Sequence, residues 1–179
     1  MTTSTLTSPL TPALVPASRQ GDPWSVWSAY RAPGHARTLA VGAHLHLSVA
    51  DVEPAGDERD EDAATRARRS CTRVDLRPDG SVRVETSAAP PVLVFGPAGV
   101  RTLPDLPGRA AAARCDGDQI VLACSAAVLD RLPCSIETLV RRRGGRDGEV
   151  RWPDLEHLAD ELLVEAGAGA VAVARWRPR

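Results

Sequence analysis

The chain has 179 residues, which fits one domain of ordinary size, and its 43% apolar and 25% charged residues suit a globular protein able to bury a core. With 22 basic against 23 acidic residues, whole-molecule attraction to nucleic acid or to an anionic membrane is not expected, and any such binding would have to be local. Apolar stretches fall far short of the ~20 residues that span a bilayer, and the N-terminus lacks the order of a signal peptide, so a soluble cytoplasmic protein is expected. Aromatic residues make up only 3%, so the core must be mostly Val, Leu and Ala. Every basic residue is Arg, with neither Lys nor Asn in the chain, a coding bias without functional meaning. Cys71, Cys115, Cys124 and Cys134 match no CxxC zinc spacing and read as reduced thiols.

Residues 1–20, rich in Ser, Thr and Pro without helical or strand period, read as a flexible tail ahead of a single domain over 21–179. From Trp24 two strand-like runs are joined by the turn "APGHA", the second alternating through Leu39, Val41, Ala43, Leu45, Leu47 and Val49, and together they suggest a hairpin. The charged segment up to Ser70 leaves room for a short helix near Glu61 to Ser70. A second hairpin over "CTRVDLRPDGSVRVETS" turns at Pro78-Asp79-Gly80, and a third joins Val92–Phe95 to Val100–Leu103 through Gly96 and Pro97. Gln119 to Cys124 is a strongly apolar strand running into a small-residue turn. Helical spacing covers Ser135–Arg142 and Pro153–Glu165, the latter with Leu155, Leu158, Leu162 and Leu163 on one face, and "AGAVAVARW" closes the chain as a strand. The sum is an α+β protein dominated by antiparallel sheet.

The order of these elements and four strings resemble the metal-dependent serine/threonine protein phosphatase (PPM, protein phosphatase 2C-like) family, in its bacterial stage II sporulation branch. "QGDPWSVWSAYRAPGHARTLAVGAH" resembles the opening Gly-Asp strand pair, "VDLRPDGSVRVETSAAPPVLVF" the central hairpin and the strand after it. "CDGDQIVLACSAAVLDRL" resembles the segment bearing the "TDG" turn, and "LADELLVEAGAGAVAVARWRP" the closing helix and strand. The resemblance spans Gly21 to Trp176 and implies an antiparallel β-sandwich with a reduced helical layer, because the interval from Asp51 to Cys71 is too short for the family's two helices. It also implies a two-cation centre of Mn or Mg held by carboxylates, since hard cations take oxygen ligands and activate water.

On that alignment Asp22 keeps its acid as the remaining metal ligand, whereas Ala43, Ala126, Gly167 and Ala168 stand where the others belong. The resemblance therefore implies a degenerate site with no catalytic residue and no cofactor, in a regulatory protein of bacterial signalling. Its partner would be another protein such as an anti-sigma antagonist or a kinase. The alternative is an active phosphatase with a metal site rebuilt from Asp22 and His44 or Asp51. An incompletely covered sheet face over Leu39–Val49 and Val82–Thr86 suggests a homodimer, unless Arg73, Arg83 and Glu85 let it face water.

Smaller signals carry two readings each. His44 and His46 share a strand face, as metal ligands or as ordinary surface or core histidines; Cys124-Ser125 is a nucleophile pair or a buried thiol. Arg141 to Arg146 is a phosphate contact or a solvated loop, and Asp57 to Asp62 a solvated acidic run. Trp24, Trp27, Trp152 and Trp176 read as packing residues, not a stacking platform for bases.

Overall fold

The computed structural model describes residues 11–13, 23–32, 34–51, 70–105, 109–132, 138 and 154–178. Its strands are β1 (Thr11–Ala13), β2 (Trp24–Arg31), β3 (Gly34–Val41), β4 (His44–Asp51), β5 (Cys71–Leu76), β6 (Ser81–Ser87), β7 (Val92–Gly96), β8 (Gly99–Leu103), β9 (Ala110–Arg114), β10 (Gln119–Cys124) and β11 (Gly169–Trp176). Among the described residues, the helices α1 (Ala126–Arg131) and α2 (Leu155–Ala166) precede β11. The strands form two antiparallel sheets, a six-stranded one in the order β1-β2-β11-β10-β7-β8 and a five-stranded one in the order β3-β4-β5-β6-β9.

Period-two patterning explains the five-stranded sheet. In β5 and β6, Val74, Leu76, Val82 and Val84 are buried between the sheets, while Arg73, Arg83 and Glu85 are exposed. The turn between them is the expected one: Arg77 N donates to Ser81 O, and Asp79 accepts from Ser81 N. In the six-stranded sheet, β10 is buried at all six positions and β11 at seven of its eight, because both faces are covered. Val121, Ala123, Ala170, Ala172 and Ala174 face the other sheet. Ile120, Leu122, Val171 and Val173 meet Val128 of α1 and Leu158, Ala159, Leu162 and Leu163 of α2. Asp154 starts α2 by accepting from the Glu156 and His157 amides, the expected cap.

The chain departs from the sequence reading at its first strands. β2 and β3 do not pair; the chain crosses from one sheet to the other after Arg31, and the run through Leu39 to Val49 is two strands folded at Gly42-Ala43. Gly42 has φ +62°, which a residue without Cβ adopts readily at the first central position of a two-residue turn. That turn resets the alternation, so Leu47 and Val49 are buried but Leu39 and Val41 are 46% and 55% exposed. Thr11–Ala13, inside the expected tail, pairs with Tyr30–Ser28, and β9 and α1 fall where a loop and a turn were expected. The expected helices near Glu61 to Ser70 and over Ser135–Arg142 lie outside the described residues, save Ser70 and Thr138.

The outer face of the five-stranded sheet is polar along its central strands. Arg37, Ser48, Arg73 and Glu85 form one cross-strand row; Leu39, His46, Asp75 and Arg83 form the next. His46 Nδ1 and Asp75 Oδ1 are 2.5 Å apart, and Arg83 pairs with Glu85 at 2.9 Å. The apolar face invoked for a homodimer is thus reduced to Leu39 and Val41 beside the edge.

Candidate functional site

The sandwich has two ends, and the chain's chemistry divides between them. At one end Trp24 and Trp176 pack in a tilted pair, 51° between ring planes and centroids 5.0 Å apart, and Trp24 Nε1 donates to Arg77 O at 2.7 Å, tying the sheets together. Arg175 fixes Asp118 with both Nε and Nη2 nearby.

The other end gathers the start of β11, the end of β10, the end of β4 and the start of β3. Register places it: Gly169 pairs with Arg31, Gly34 with Asp51, and Cys124 with Val171. Here the sheets touch through backbone. A Cβ on Gly34 would stand 2.6 Å from Gly169 Cα and closer to its carbonyl, and one on Gly169 would meet Ser125 Oγ at 2.7 Å and Val128. Two glycines are what permit the approach. Ser125, 3% exposed, is bonded in both directions to Ala170: its amide donates to Ala170 O at 2.9 Å, and its Oγ accepts from Ala170 N at 3.1 Å.

Asp51 reaches into this joint from the end of β4. Its Oδ2 accepts from Ala126 N at 2.7 Å and from Ala127 N at 3.3 Å. Its Oδ1 and the Nε of Arg31 are buried without a hydrogen-bond partner among the described residues.

The structure brings Ala126, Gly167 and Ala168 to this end, as their places before and after the joint require, but not Ala43. Ala43 occupies the exposed β3–β4 turn at the opposite end of the strand from Asp51, about 26 Å away at ~3.3 Å per residue. The physical reason is the Gly42 turn: β4 runs on from His44 and ends in Asp51, so Asp51 is the acid that closes this strand. His44 shares Ala43's end and cannot join Asp51 on one cation. Asp22 lies outside the described residues, as do Cys134, Trp152, Arg141 to Arg146 and Asp57 to Asp62. Among the described residues no three His, Cys, Asp or Glu side chains are grouped to hold a metal. Cys124 is buried and its thiol is held well above the ordinary range by that burial, which suits a packing residue and not a nucleophile. Asp51 was visible in the sequence as the acid ending "HLHLSVAD"; Arg31 and Gly34 carried no signal of their own.

The chain matches no protein-family model and no curated protein. Solved structures do match its fold: two antiparallel sheets packed face to face with few helices, the sandwich of PPM phosphatase domains. The phosphatase domain of SpoIIE from Bacillus subtilis, with a fragment of its regulatory domain, superposes with a TM-score of 0.59 at 11% identity over 86% of this chain and 63% of that one. The RsbU and RsbW domains of a Mycobacterium tuberculosis protein give 0.57 at 16% identity over 86% and 61%. RsbX in complex with magnesium gives 0.54 at 9% over 84% and 94%. This chain therefore spans less than two thirds of the length of the first two, while matching nearly all of the third.

Proposed function

We propose that this chain is a catalytically degenerate phosphatase-fold protein acting as a regulatory or protein-interaction module in bacterial signalling. One observation carries the reading: at the end where Asp51, α1 and the start of β11 converge, as elsewhere among the described residues, no three His, Cys, Asp or Glu side chains are grouped to hold a metal. A pair of divalent cations needs several oxygen ligands around each ion. Ser125, Ala126, Ala127, Gly167, Ala168 and Gly169 supply none that is charged, and Gly34 and Gly169 bring the backbones of the two sheets close together beside them. The described residues do not fit a two-metal centre of Mn or Mg. Supporting the signalling context, the neighbours include a protein joining RsbU and RsbW domains and one described from the bacterial stressosome. A protein partner of the kind such systems contain, an anti-sigma antagonist or a kinase, follows from that context. Among the described residues no helix is long and apolar enough to cross a membrane.

The test is hydrolysis of a phosphoserine peptide and of a chromogenic phosphate ester with MnCl2 or MgCl2 present. No turnover above the metal-only blank is expected. Turnover that depends on manganese and disappears in Asp22→Ala would replace this reading with the active phosphatase.

A further inference from the structure

Resting on that reading of the site, we infer that Asp51 is a positioning residue whose carboxylate clamps the start of α1 to the end of β4 and so keeps the two sheets closed at this end. A helix leaves its first amides without acceptors inside the helix, and the side chain of the residue just before it ordinarily serves them. Ser125 holds that place before α1 but makes no side-chain cap. Its hydroxyl instead accepts from Ala170 N, across the β10–β11 junction. The amides of Val128 and Leu129 turn back to Ser125 O, leaving those of Ala126 and Ala127 to find another acceptor. Asp51, 75 residues earlier in the chain and in the other sheet, provides it through one oxygen.

The cap is therefore a cross-link. β4 of the five-stranded sheet holds α1; α1 follows directly from Ser125, which holds β11 of the six-stranded sheet; and the Gly34–Gly169 contact lies alongside. The carboxylate is engaged with two backbone donors of a packed element. A cation recruiting Asp51 would have to take Oδ2 from both amides or settle for Oδ1 alone.

Hydrogen exchange of individual amides, followed by NMR on the full chain, tests the clamp. In the parent protein the Ala126 and Ala127 amides, which would otherwise be free first-turn donors, should exchange more than tenfold slower than in an unstructured peptide. In Asp51→Ala their protection should fall tenfold or more, while Val121 and Val173 in β10 and β11 keep theirs. Asp51→Asn, with a neutral oxygen still able to accept, should fall between, and it serves if the alanine variant does not fold. Unprotected Ala126 and Ala127 amides in the parent, or protection untouched in a folded Asp51→Ala, would overturn the clamp. Selective broadening of those two amides by MnCl2 would overturn it as well. Manganese-dependent turnover with both amides still protected would remove the proposed function and leave the clamp standing; unprotected amides with no turnover would do the reverse.

Discussion

Replacing Gly34 by alanine tests the contact that closes the sandwich. The new Cβ would lie 2.6 Å from Gly169 Cα and nearer to the carbonyl beyond it, where ordinary contact begins at 3.4 Å, so the two strands must part by 0.8 Å or more. The obstacle is backbone on both sides, and no side chain can rotate away. Overpacking that displaces side chains alone costs about 1–3 kcal/mol, and here β3 must also pull on the neighbouring Asp51 bonds, so a loss of about 3 kcal/mol is expected. For a domain of this size that corresponds to a Tm lower by roughly 6–12 °C. Gly117→Ala is the control, because its Cβ meets nothing within 4 Å and its φ is not positive; its Tm should stay within ~2 °C of the parent. Thermal unfolding of the two variants side by side, followed by circular dichroism, gives the comparison. If Gly34→Ala melts with Gly117→Ala and the parent, the sheets do not meet there and the account of a sealed joint is wrong.

Leu162, fully buried between α2 and the six-stranded sheet, should cost ~2–5 kcal/mol as alanine in chemical denaturation, whereas Val164→Ala, at 57% exposure on the same helix, should change stability by less than ~0.5 kcal/mol; equal effects would mean that α2 does not pack by this face. Burial raises the Cys115 thiol from its ordinary value near 9.0 to about 11, so between those values the unfolded chain has shed a proton that the folded chain keeps. Stability should accordingly fall as pH rises through that window, and urea midpoints for Cys115→Ala should decline less steeply there than the parent's; parallel curves would refute the assignment. The polar rows on the outer face of the five-stranded sheet predict a monomer, so light scattering at micromolar protein should give a mass near 19.0 kDa. A value near twice that would assign pairing to the Leu39 and Val41 edge.

The sequence was most legible where local chemistry and burial agree. The β5–β6 hairpin combines Pro78-Asp79-Gly80 with strict alternation, and α2 combines a capping aspartate with leucines at helical spacing, so both were read with their correct faces. It was least legible where a strand's partner depends on the whole fold. Nothing in "YRAPGHAR" distinguishes a hairpin turn from a crossing between sheets, and Gly42-Ala43 sits inside a run whose apolar residues alternate straight through it. The displaced turn moved the expected acid from Asp51 to Ala43, and with it part of the site. The clamp escaped for a related reason: capping rules look at the residue adjoining the helix, whereas α1 draws its acceptor from another sheet.

The place of β11 bears on how such a chain comes to be folded. It is flanked by β2 on one side and β10 on the other, pairing with β2 along its full length and with β10 along six residues. Until residues 169–176 are available, the six-stranded sheet is two separate fragments, β1-β2 and β10-β7-β8, each presenting an unpaired edge, that of β10 almost wholly apolar. Pairing β2 with β11 spans nearly the whole described chain, and such distant contacts form slowly because a long loop must close first. A nascent or truncated chain ending in α2 therefore exposes two sticky edges at once, the arrangement from which aggregation begins. Closing both edges falls to the one strand, β11, that pairs with each of them.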